Sequence, residues 1–188
     1  MEYRYYQLQD VQVRNDTDDD LYLEGYFARF NENYEVWKGA TESIAPGAFT
    51  NSVNQDVRAL FNHNDDLILG RTSNGTLELK QDDKGLWGKI KINKKDSDAM
   101  NAYERIARGD ITGCSFGFGI KSQEETISDD GSIHWTLTEI DPLVEVSPCT
   151  FPAYQATSIS SRGKDVEQIK KRMSEAWKSK MLNRLKGE

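Results

Sequence analysis

Histidine and cysteine are scarce: the 188 residues hold two of each. Cys114 and Cys149 lie far apart and neither belongs to a CxxC pair. The paired spacing of a structural zinc site is therefore missing, and two histidines do not make up for it. The two could form one disulfide at most, and both read instead as small buried apolar side chains in a reducing compartment. No apolar run approaches the ~18 residues of a helical membrane span. The opening residues "MEYRYYQLQDVQ" lack the basic-then-apolar order of a signal peptide. Basic charge is also in short supply over most of the chain. The formal net charge is -7, and residues 1–161 carry 15 Lys/Arg against 27 Asp/Glu. That excludes general nucleic-acid binding by the body. The positive charge gathers in residues 162–188, with nine Lys/Arg and four Asp/Glu.

What is present is mostly strand. "EYRYYQLQDVQV" (2–13) is rich in aromatics, and "LYLEGYFARF" (21–30) alternates in polarity. Residues 75–93 predict a hairpin, with runs at Thr76–Lys80 and Leu86–Ile92 about a turn at 81–85. Residues 41–53 predict a short helix started by Pro46, with Ala48, Phe49 and Val53 on one face. Residues 94–110 predict a second helix, capped by Asp96 or Asp98 and ended by Gly109, with Ala99, Tyr103 and Ile106 sharing a face. A strand over 111–121, a polar loop over 122–132 and one or two strands over 133–151, broken near Pro142, complete the body. After Ala156 the composition turns to Ser, Gly, Lys and Arg. The division is a body at 1–156, a linker at 157–163 and a basic helical arm at 164–188. The arm's apolar face is Val166, Ile169, Met173, Ala176, Trp177 and Leu185. The fold class is mainly β with helices (α+β), in which an antiparallel barrel or strongly bent sheet carries a C-terminal amphipathic helix.

The stretch "ITGCSFGFGI" (111–120) is unusual as a strand. Alternation puts Thr112, Cys114, Phe116, Phe118 and Ile120 on one face and Ile111, Gly113, Ser115, Gly117 and Gly119 on the other. The second face is nearly bare around one hydroxyl. Glycines clustered in a strand interior mark the close approach of a backbone or ligand. A serine nucleophile needs a base within reach, ordinarily histidine. His63, where the apolar strand "ALF" gives way to "NHNDD", is the stronger candidate; His134 is the other. A third group orients the imidazole. Glu145, a carboxylate in the apolar strand "PLVEVS", is one candidate, and Glu139, Asp141, Asp65 and Asp66 compete with it. Cys114 falls on the core face and is no rival nucleophile.

Six segments, taken in order, resemble the prohead proteases of tailed bacteriophages, the capsid-maturation serine endopeptidases. They are "GYFARFNE" (25–32), "ESIAPGAF" (42–49), "ALFNHND" (59–65), "LGRTSNGTLELKQDDKGL" (69–86), "RGDITGCSFGF" (108–118) and "VEVSPCTFPAY" (144–154). The resemblance covers roughly residues 20–156. It implies a barrel similar to herpesvirus assemblin with surrounding helices, a Ser115 nucleophile and a His63 base. It implies the third role for Glu145, where herpesvirus relatives use a second histidine. No metal or organic cofactor is implied. The implied partners are the major capsid protein with its scaffolding region and the protease itself. The implied place is inside the assembling prohead, in the host bacterial cytoplasm, with no nucleic acid or membrane as partner. The basic arm then has a tether to acidic scaffold, self-cleavage, packing on the barrel or homodimer pairing as its candidate roles. The competing reading is a catalytically silent scaffold or assembly module.

Overall fold

The computed structural model describes residues 2–7, 12–15, 20–150 and 163–186. Among them are eleven strands, β1 (Glu2–Gln7), β2 (Gln12–Asn15), β3 (Leu21–Arg29), β4 (Tyr34–Trp37), β5 (Ala40–Ile44), β6 (Arg58–Phe61), β7 (Asn64–Arg71), β8 (Leu77–Gln81), β9 (Gly85–Lys91), β10 (Gly113–Ile127) and β11 (Ile133–Cys149). Two α-helices join them, α1 (Ser97–Ala107) and α2 (Gly163–Lys186). The fold is thus mainly β with two helices. The strands form two sheets: seven in the order β1-β10-β11-β5-β4, with β6 paired to β11 and β7 to β6, and four in the order β2-β3-β9-β8.

The axis of the larger sheet is the β10–β11 hairpin. Its register runs from Gly113↔Cys149 to Ile127↔Ile133, with several bulges between. The polar loop expected over 122–132 is mostly strand: the ladder continues to Ile127, and the reversal is confined to residues 128–132. Ser128 N–H bonds to Ser132 O, and Gly131 has φ +81°. The loop reading fails because residues 121–127 of β10 are all exposed, so no apolar alternation marks them. The break expected near Pro142 is absent too, since β11 runs through it as one 17-residue strand. β11 takes a different parallel neighbour at each end, β5 beside Ile133–Leu137 and β6 beside Glu145–Val146.

The short helix expected over 41–53 is instead β5 followed by a series of turns. Bonds from Ala48 N to Ala45 O, Thr50 N to Gly47 O and Ser52 N to Phe49 O are of turn type, and only Val53 N to Phe49 O has helical span. Phe49 is fully buried all the same and meets Phe116 edge-on at 5.7 Å. The expected 2–13 strand is divided between β1 in one sheet and β2 in the other. The 75–93 hairpin is β8–β9, and α1 is capped by Asp96, whose Oδ1 accepts from Asp98 N at 2.9 Å and Ala99 N at 3.2 Å.

The main core lies between the sheets and takes Cys114, Phe116 and Phe118 from β10, Leu86 and Ile90 from β9 and Tyr103 and Ile106 from α1. Fully burying a side chain the size of Phe116 stabilises by about 1.5–3 kcal/mol. A second, smaller cluster seats α2: Ile169 is fully buried with Ala40, Ile133 and Trp135, and Met173 packs on it. The apolar stripe expected on α2 divides along its length. Ile169 is covered, Met173 and Ala176 are half-buried, and Trp177 is 62% exposed. The side chains of Val166 and Leu185, and the linker apart from Gly163, lie outside the described residues. No described helix is long and apolar enough to cross a membrane.

Candidate active site

His63 is placed by a tight turn. β6 and β7 are joined by Asn62 and His63, with Phe61 paired to Asn64. Both turn residues have positive φ, 55° and 58°. That is the two-residue hairpin geometry whose twist matches the flanking strands. Asn and His are among the residue types that most often adopt it, yet any non-glycine residue there carries strain on the order of 1–3 kcal/mol, which surrounding contacts must offset. Those contacts come from the end of β11. Asn62 N–H bonds to Pro148 O at 3.1 Å, and Asn62 Oδ1 accepts from Thr150 N at 2.8 Å. The turn is thereby clamped over the strand that carries Glu145.

Glu145 faces the turn from a nearly dry position. It is 3% exposed, and its Oε1 lies 2.8 Å from His63 Nδ1. The other ring nitrogen, Nε2, lies 3.6 Å from Cys149 Sγ. Burial, and after it the charge of Glu145, pushes the Cys149 thiol up to about 12, so it is neutral near pH 7. Ser147 Oγ donates to Glu145 Oε2. Glu145, Ser147 and Cys149 alternate along β11, hence share one face. Across the hairpin their direct partners are Gly117, Ser115 and Gly113. Directly opposed antiparallel residues have Cα atoms about 4.5–5.5 Å apart. His63 touches Glu145 and Cys149, and so straddles Ser147, whose cross-strand neighbour is Ser115. Beside the pair, a cleft of about 320 Å³ is lined by Arg58, Leu60, His63, Asp65, Ile68, Val144 and Glu145.

Ser115 itself has no solvent exposure. The expected bare face is therefore covered in this state. Gly119 has a different reason from the one expected: a Cβ there would stand 2.8 Å from Asp141 O and 2.9 Å from Pro142 Cδ, so the glycine admits β11, not a ligand. Ile111 precedes β10 and belongs to the core. Cys114 is buried as expected, its thiol donating to the Tyr26 and Phe27 carbonyls at 3.4 Å and its pKa pushed well up by burial.

Of the competing groups, His134, Glu139 and Asp141 have side-chain partners away from the pair. His134, near the start of β11, meets Thr41 Oγ1 through Nδ1 and Ser43 Oγ through Nε2, each at 2.8 Å. Glu139 accepts from Lys121 Nζ and Asn51 Nδ2 at 2.8 Å, and the Lys121 ammonium leads in holding its pKa below the usual range. Asp141 accepts from Gln55 Nε2 at 2.7 Å, which with Lys121 lowers its pKa. Asp65 lines the cleft, and Asp66 N–H bonds to Asn64 Oδ1 at 3.0 Å. The contacts of Ser147 and Cys149 with the pair went unread in the sequence, although alternation with Glu145 puts both on its face. No cluster of metal-ligating residues occurs among the described residues.

A model of the caudovirus prohead serine protease family matches residues 9–172. The chain belongs to that family. The match includes β6, β10 and β11, and so every residue of the arrangement above. Among family relatives, the prohead protease of Enterobacteria phage HK97 is 31% identical over an alignment of 143 residues that covers 74% of this chain. The chain spans 59% of the length of that relative. Of solved structures, the bacteriophage T4 capsid assembly protease aligns with a TM-score of 0.47 at 11% identity, over 78% of this chain and 95% of that one.

Proposed function

We propose that this chain is a serine endopeptidase of phage head maturation, with Ser115 as nucleophile, His63 as base and Glu145 as the group that holds the imidazole. The observation that carries the reading is the His63–Glu145 contact at 2.8 Å, clamped over the strand position opposite Ser115, in a member of this family. Glu145 accepts from Nδ1–H and leaves Nε2 as the basic nitrogen. Ser115 Oγ attacks a peptide carbonyl carbon while its proton passes to Nε2. The C–N bond then breaks as Nε2 returns that proton to the leaving amine. Water repeats the sequence on the acyl-serine, giving the acid and restoring the hydroxyl. An oxyanion forms at each stage and requires N–H donors, each worth about 3–4 kcal/mol.

The substrate is the scaffolding region of the major capsid protein, together with the protease itself. The setting is the assembling prohead in the host cytoplasm. The name of the HK97 relative and the basic surface of α2, with Lys170, Lys171, Lys178, Lys180 and Arg184 exposed, support that choice of partner. The division into body, linker and arm belongs to the same reading, with α2 as a tether or homodimer element. So does a herpesvirus-type barrel, which the main core shared by the two sheets supports.

One observation favours the other reading, a silent assembly module: Ser115 is fully covered. The protease reading therefore requires an opening step before substrate engages. Intact-mass analysis of the purified full chain separates the two. Self-processing that disappears in both Ser115→Ala and His63→Ala supports the protease. Variants cut like the parent, or a parent that is never cut with capsid protein present, support the silent module.

A further inference from the structure

Ser147 stands in a buried strand, has no exposure, and carries a hydroxyl that needs a partner there. Its proton goes to Glu145 Oε2, while His63 occupies Oε1. These are the side-chain donors to that carboxylate among the described residues. A buried carboxylate with one oxygen unbonded would be costly and free to rotate about its last torsion. With Ser147 two residues on, on the same face, the second bond runs along the strand and fixes the carboxylate plane. Hydrogen bonds from O–H to a carboxylate are among the stronger ones.

We infer that Ser147 is a positioning residue: by donating to Oε2 it turns Oε1 toward His63 Nδ1 and sets the ring tautomer that leaves Nε2 basic. The inference rests on the serine-protease reading for its consequence, but not for its geometry. It also gives the two facing serines different parts. Ser115 is the nucleophile, and Ser147, with its proton spent on Glu145, acts on the carboxylate.

The test exploits the chain's having only two histidines. Ring-15N-histidine spectra are recorded on the full chain in a Ser115→Ala background, with His134→Ala assigning the two rings. The expected result is a protected Nδ1–H on His63. Ser147→Ala and Ser147→Cys, the latter similar in size but a weak donor, should raise the exchange rate of that proton about tenfold or more and mix the tautomers. Ser147→Thr should restore the parent signature. With Ser115 present, the self-processing rate should fall about tenfold in Ser147→Ala and recover in Ser147→Thr, as for the loss of one charge-assisted bond. A folded Ser147→Ala or Ser147→Cys chain with the parent's tautomer and exchange rate overturns the inference. So does a Thr variant that restores nothing. If neither Ala nor Cys folds, Ser147 serves the strand rather than the ring and the inference also fails. Failure of the protease reading is seen separately, as undiminished processing in Ser115→Ala, while the spectra still decide the role of Ser147.

Discussion

Glu145→Gln removes one charge at nearly constant shape. The carboxylate is 3% exposed and 2.8 Å from His63 Nδ1. When the ring takes the Ser115 proton, an imidazolium faces a carboxylate with charge centres about 4 Å apart. At an effective dielectric constant of about 20 this attraction amounts to about 4 kcal/mol. His63 is 21% exposed, so water screens part of it. Each 1.36 kcal/mol is tenfold in rate, which sets the expected loss at about 10²–10³-fold. The amide adds a second effect. It cannot accept on both sides, so it either reverses the Ser147 bond and leaves the Ser147 proton without that acceptor, or turns its NH₂ toward Nδ1 and selects the wrong tautomer. The assay is the initial rate of self-processing by intact mass, with a thermal melt to show that the variant is folded. A folded Glu145→Gln chain that loses less than tenfold would refute the role assigned to the carboxylate.

Three further outcomes follow from the same geometry. His134→Ala should leave the processing rate within about threefold of the parent, because Thr41 and Ser43 hold that ring; a loss near that of His63→Ala would return it to the site. Cys149 should resist iodoacetamide in the folded chain at pH 8, since its thiol is pushed up to about 12 and becomes a thiolate only in strong alkali; rapid labelling at neutral pH, read by peptide mass, would contradict this. Ile169→Ala should cost about 2–5 kcal/mol in a urea melt, whereas Trp177→Ala on the same helix should cost under ~0.5 kcal/mol. Equal costs would mean that α2 is not seated as described.

Much of this was legible from local rules. The β8–β9 hairpin, the Asp96 cap of α1 and the Cys114/Phe116/Phe118 core face each follow from short-range pattern. His63 and Glu145 were legible as residue types at a strand end and in an apolar strand, and family order paired them. What stayed hidden depends on neighbours distant in the chain. The ribbon beyond Ile120 is strand although polar, because its partner β11 supplies the ladder. Pro46 and Gly47 mimic a helix start, yet the segment closes as turns. The positive φ of Asn62 and His63 goes with bonds from Asn62 to Pro148 and Thr150, more than eighty residues away, and no reading of "NHND" shows them. Ser147 was within reach, since it stands two positions from Glu145. Its importance appears only once the hairpin register sets it across from Ser115.

The central claim is that Ser115 is a nucleophile activated by His63, and covalent labelling tests it most directly. The full chain is incubated with a fluorophosphonate, whose P–F bond is displaced by an activated serine oxygen, and the modified peptide is sequenced by mass spectrometry. The expected result is one phosphonate on Ser115, absent when His63 is alanine. A label on Ser147 or elsewhere, or labelling of Ser115 undiminished in His63→Ala, would contradict the account.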